Sequence, residues 1–209
     1  MQRKKIFCFG DSNTWGINAA DGSRFDERTR WPQVLQSVLG ENFSVIEEGL
    51  NGRTLLDLNP ESREGGGVSW FEEAASPHMP LDIVIISLGM NDVFDTSEVS
   101  LFAIEDGMKT LITKICVLHE SSFLPRPEII LMGPPAIRRD FEGAQFFELQ
   151  INKMTALGPL YHKIGENESV HYFDASLYIK TSGIDCSHID GENHRILGRE
   201  MARFIMEQL

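Results

Sequence analysis

The chain has 209 residues, 42% of them hydrophobic and 24% charged, the composition of an ordinary globular domain. Its 19 basic and 31 acidic residues leave a formal net charge of −12, which argues against nucleic acid as a partner, because proteins that grip a phosphate backbone present a basic patch. Cys8, Cys116 and Cys186 are odd in number and far apart, so neither a disulfide framework nor a zinc site is expected, and reduced thiols in a cytoplasmic protein are the natural reading.

A chain of this length is read as one domain over residues 1–209, able to bury roughly 70% of its unfolded surface. The opening "MQRKKIFCFGDS" holds an apolar run of only four residues before Gly10. That is too short for a signal peptide or a membrane span, and no membrane association is expected.

Taken in order, "KIFCFG" reads as a buried strand ended by glycine. "RWPQVLQSVLG" sets Trp31, Val34, Leu35, Val38 and Leu39 at helical spacing, with Gly40 as the stop. "FSVIEEG" is a second strand, and "EGGG" at 64–67 a flexible loop. "LDIVIISLG" is apolar on both faces, which suits the centre of a parallel sheet covered on both sides. Residues 98–119 form a helix with the stripe Leu101, Ile104, Met108, Leu111, Ile112, Ile115. "PEIILMGPP" is a strand, "FFELQINKMTALGPLYHKIG" a helix, "SVHYFDAS" a last strand and "ENHRILGREMARFIMEQL" an amphipathic helix. Strands alternating with helices predict an α/β fold with a parallel sheet.

In such open sheets ligands bind beyond the carboxyl ends of the strands, which makes the segments after each strand the candidates. "FGDSNTWG" offers Ser12, a nucleophile or a helix N-cap. "EEGLNGRT" places two glycines in a short loop, a plain turn or a source of inward backbone N–H groups. "LGMND" offers the Asn91 amide, an oxyanion donor or an Asx-turn. "GPPAIRRDF" is a stiff loop, a pocket wall or a connector. "GIDCSHIDGENHRILG" offers two histidines, each with an aspartate close before it.

His194 falls on one helix face with Leu197, Met201 and Ile205, and Asp190 suits that helix's N-cap. His188 precedes the helix, where a tight turn brings the Asp185 carboxylate beneath the imidazole and leaves the other nitrogen to face Ser12. The bland alternative is an exposed loop histidine. A metal site from Asp185, His188, Asp190 and His194 is the weaker reading, since most of these groups have other work. A hydroxyl, a base with its carboxylate and oxyanion donors together make the parts list of acyl transfer.

These blocks resemble, in order and over nearly the whole chain, the SGNH hydrolases, also called GDSL lipases and esterases. "FGDSNTWG" is similar to the first block, with Ser12 as nucleophile; "GLNGRT" to the second, with Gly52 as backbone oxyanion donor; "GMND" to the third, with Asn91 as side-chain donor. "DCSH" is similar to the D-x-x-H of the last, with His188 as base and Asp185 as its partner. The run through "GMND" is similar in particular to an arylesterase and acyltransferase branch. The resemblance implies a flavodoxin-like three-layer α/β/α fold of about five strands, small ester substrates, acyl transfer to alcohols in some members, homo-oligomers in some members and no cofactor. The Ser12 N–H joins Gly52 and Asn91 as a third oxyanion donor.

Two departures stand out. Asn13 follows Ser12 where the family name implies leucine, and a polar group there is expected to alter which acyl group fits. Cys186 lies inside the D-x-x-H element, an oxidation liability. By adjacency, Trp15, Pro134 and Pro135 join Asn13 as expected pocket residues. A carbohydrate O-acetylesterase shares every catalytic residue. A phosphate- or flavin-binding protein on the same scaffold is the rival from another class, although "GDSNTWG" lacks a nucleotide-loop lysine.

Overall fold

The computed structural model describes residues 3–58, 66–95 and 98–209. In chain order these form β1 (Lys4–Gly10), α1 (Ser12–Trp15), α2 (Trp31–Leu39), β2 (Phe43–Gly49), α3 (Gly67–Ala75) and β3 (Ile83–Ser87). There follow α4 (Met90–Asp95), α5 (Leu101–Ser121), β4 (Glu128–Met132), α6 (Glu148–Glu168), β5 (His171–Phe173) and α7 (Gly191–Gln208). The five strands are all parallel and stand in the order β2-β1-β3-β4-β5, the order of flavodoxin-like doubly wound sheets.

Successive strand residues point to opposite faces, and the sheet has a core on each. Phe7, Phe9, Val84, Ile86, Ile129 and Leu131 pack with residues of α3, α5 and α6. Ile6, Cys8, Ile83, Ile85, Ile130 and Met132 pack with α2 and α7. Burial on both faces is why "IVII" needs no polar alternation. On the second face Leu197, Met201 and Ile205 of α7 are buried with Trp31, Leu35 and Leu39 of α2, each side chain contributing about 1.5–3 kcal/mol.

Where the sequence reading and the fold differ, the reasons are local. Helix α3 is an element the sequence reading does not include; it buries Phe71, Ala74 and Ala75 at helical spacing. Of the expected "EGGG" loop, residues 64 and 65 lie outside the described residues, while Gly66 precedes α3 and Gly67 opens it. Helix α5 starts at Leu101 because Ser100 caps it, its hydroxyl accepting from the Ala103 N–H. The last strand shrinks to three residues because Asp174 caps a following 3-10 turn through the Ser176 N–H.

The parallel register levels the strand ends. Gly10 pairs with Gly49 on one side and with Ser87 on the other. The chain therefore leaves β1, β2 and β3 at one height. The gap between β1 and β3 is the switch point, where successive connections turn to opposite sides and ligands bind. Just after β3, Gly89 adopts φ +105, and a Cβ there would stand 2.0 Å from the Tyr161 hydroxyl. That hydroxyl is buried and donates to the Leu88 carbonyl at 2.7 Å. Gly89→Ala is expected to lower stability by about 2–4 kcal/mol, combining backbone strain with the displaced hydrogen bond. Denaturant unfolding measures it, and a loss under 1 kcal/mol would mean that the turn relaxes freely.

Candidate active site

Ser12 is the first residue of α1, directly beyond β1. The cap of that helical turn is Asp11, whose carboxylate accepts from the Asn13 N–H at 2.9 Å. Capping is thus done by the neighbour, and the Ser12 hydroxyl is left for another partner. That partner is His188: Oγ and Nε2 are 3.0 Å apart. The other ring nitrogen, Nδ1, meets Asp185 Oδ2 at 2.8 Å. Asp185 Oδ1 accepts from the backbone N–H groups of His188 at 2.8 Å and Ser187 at 3.0 Å. One carboxylate therefore closes the turn with one oxygen and orients the imidazole with the other.

The electrostatics follow from these contacts. Burial pulls the His188 pKa down, but the hydrogen bond and charge of Asp185, with the charge of Asp11, outweigh it and leave it above 6.5. Burial pushes the Asp185 carboxyl up, and the hydrogen bonds from His188 and Ser187 overcome it and hold it low. Burial drives Asp11 from 3.8 to about 6, against the pull of the Asn13 N–H, His188 and Arg53.

Gly52 and Asn91 are drawn to the same edge by Arg53. Residues 50–53 form a turn closed by the Arg53 N–H on the Leu50 carbonyl at 3.1 Å, with Gly52 at φ +75 in its third position, where a type II turn requires glycine. The Arg53 guanidinium is buried 4.5 Å above the Phe9 ring. It donates to the Gly10 carbonyl at 3.1 Å, the Glu48 carbonyl at 2.7 Å and the Glu48 carboxylate at 2.8 Å. Its own carbonyl accepts from Asn91 Nδ2 at 2.9 Å. That bond uses one of the two amide hydrogens and leaves the second for a ligand. Asp92 adds a brace, accepting from the Leu55 and Leu56 N–H groups at 2.7 and 2.8 Å.

Arg53 and Asp92 were not singled out in the sequence. The available signal was a charged residue directly beside each oxyanion candidate, in "GRT" and "ND".

The expected pocket residues divide. Asn13, Pro134 and Pro135 line a narrow cavity of about 20 Å³ together with Asp11, Leu88 and Met90, room for about one water. Trp15 does not line it; its ring lies 5.2 Å from the Arg24 guanidinium. Cys186 corrects the expectation of an oxidation liability: it is 2% exposed, packed in the core, and burial raises its thiol pKa. A thiol that is buried and protonated is inert.

His194 is fully buried on α7. Its Nδ1 accepts from the Trp31 N–H at 3.4 Å, its ring meets Phe25 edge-on at 5.3 Å, and burial lowers its pKa to about 3. Asp190 caps α7 through the Asn193 N–H. This histidine is a neutral packing residue of the α2–α7 seam. Among the described residues no three His, Cys, Asp or Glu side chains are grouped to hold a metal ion, and no helix is long and apolar enough to cross a membrane.

The family model of the GDSL-like lipases and acylhydrolases matches residues 8–192. Among solved structures, an aryl esterase of M. smegmatis is 34% identical, with TM-score 0.88, over 99% of this chain and 100% of that one. A carbohydrate acetylesterase from Sinorhizobium meliloti is 29% identical, with TM-score 0.89 and the same coverage. A second carbohydrate acetylesterase family member from that organism is 30% identical, with TM-score 0.84, over 98% of each chain. No curated protein sequence matches. A family match over residues 8–192, most of the length, places this chain in the GDSL-like lipase and acylhydrolase family.

Proposed function

We propose that the protein is a serine esterase that hydrolyses small carboxylic esters through an acyl-enzyme on Ser12. The observation that carries the reading is the continuous contact Ser12 Oγ to His188 Nε2 at 3.0 Å and His188 Nδ1 to Asp185 Oδ2 at 2.8 Å. A serine hydroxyl is a weak nucleophile until a base takes its proton, and the base needs a carboxylate to fix its tautomer and balance the imidazolium.

Ser12 attacks the ester carbonyl and His188 accepts the proton. The oxyanion is met by the N–H groups of Ser12 and Gly52 and the free hydrogen of Asn91. Each such donor lowers the barrier by roughly 3–4 kcal/mol. His188 then protonates the departing alcohol, and water, or a second alcohol, releases the acyl group. Pro134 and Pro135, which line the small cavity beside Asp11, are the candidates for setting the size of the acyl group.

A second reading, deacetylation of carbohydrate, uses the same residues. The likeness to the two S. meliloti acetylesterases favours it. So does an open groove of about 480 Å³ that shares Pro134 and Pro135 and continues past His162, Tyr172, Asp174 and Ser176. Rings beside polar groups suit a sugar better than an aryl alcohol. Turnover of a panel of aryl esters, acyl thioesters and acetylated sugars decides between the readings. No turnover on any class would overturn both.

The acid limb of kcat/KM tests the base. His188 works only when neutral, and its pKa is raised above 6.5. Activity is therefore expected to fall on acidification with a midpoint above 6.5, and a midpoint below that value would point to a different base.

A further inference from the structure

We propose that Asn13 is a positioning residue, which holds the loop carrying His188 by bonding the backbone on both sides of that histidine. The inference rests on the reading of His188 as the base. The Asn13 amide nitrogen donates to the Ser187 carbonyl at 2.9 Å, and its oxygen accepts from the Ile189 N–H at 3.1 Å. The two partners are an acceptor and a donor, so only one orientation of the amide satisfies both. Asn13 is 8% exposed, where water competes poorly for these bonds.

The segment around His188 belongs to no helix or strand, so it takes its shape from such bonds. Asp185 holds the Ser187 and His188 N–H groups. The His188 carbonyl accepts from the Ser182 N–H at 2.6 Å. Asn13 supplies the two remaining anchors, and it supplies them from the residue next to Ser12. The nucleophile and the base loop are thereby fixed to one short helical turn. A leucine at this position fills similar space and makes neither bond. Misplacing a catalytic group by about 1 Å costs on the order of 100-fold in rate. The sequence alone suggested that Asn13 tunes the acyl pocket, whereas the committed amide gives it a different task.

The test compares wild type, Asn13→Leu and the smaller Asn13→Ala on p-nitrophenyl esters of increasing chain length, with Ser12→Ala as control. Both Asn13 variants are expected to lose kcat by ~10- to 100-fold at little-changed KM. Their acid limb should move to lower pH as the imidazole loosens from Asp185, with Asp11 the other carboxylate facing it. In a His188→Ala background the same substitutions should leave residual turnover unchanged, since there is no longer a ring to place.

A kcat within twofold of wild type in both variants would overturn the proposal. So would an unmoved limb with the loss carried by KM and chain-length preference, or an equal loss in the His188→Ala background. Substantial activity in Ser12→Ala would instead defeat the underlying esterase reading, which keeps the two failures apart.

Discussion

Replacing Ser12 by alanine is expected to lower kcat for p-nitrophenyl acetate by ~10⁴- to 10⁶-fold, the scale seen when the nucleophile of a serine–histidine–aspartate system is removed. The substitution deletes one oxygen from a residue only 6% exposed and leaves the Asp11 cap of α1 in place. The melting temperature should therefore stay within a few degrees. A phosphonate inhibitor should label wild type once per chain and the variant not at all. Turnover within about 100-fold of wild type, or labelling of the variant, would take the chemistry away from position 12.

The second large effect separates two histidines six positions apart. His188→Ala should cost at least ~10⁴-fold in kcat, because it removes the proton acceptor from Ser12, and should barely change stability, since the ring is partly exposed. His194→Ala should do the reverse. It leaves a hole among Phe25, Trp31 and the buried face of α7 and removes the acceptor of the Trp31 N–H. A loss of about 2–4 kcal/mol with kcat within a few-fold is expected. Steady-state kinetics alongside denaturant unfolding of both variants decides the matter, and the opposite pattern would exchange the two roles.

Much of this arrangement is legible in the sequence. The apolar run "IVII" announces a strand covered on both faces, and it stands at the centre of the sheet. The separation of His188 from His194 followed from helical spacing alone, since only His194 shares a stripe with Leu197, Met201 and Ile205. Illegible features depend on contacts distant in sequence. Asn13 meets its two loop partners 174 and 176 residues away. Arg53 reads as a surface cation in "NGRT" and becomes a buried strut only because the ends of β1 and β2 stand level beside it. The burial of Cys186 likewise emerges only when its loop closes over the core.

The opposite displacements of His188 and His194 bear on life in acid. On the proposed mechanism the imidazole at 188, which takes its proton above pH 6.5, makes activity the first thing lost. Below 6.5 the unfolded chain binds a proton that the folded chain, with His194 at about 3, refuses, and stability declines by up to ~1.4 kcal/mol per pH unit. Between about 6 and 3.8 Asp11 works the other way, because its buried carboxyl takes a proton that the unfolded chain does not yet bind. The two slopes oppose each other across that window. Moderately acidified protein should therefore be dormant but intact, and should resume work on neutralisation without having to refold.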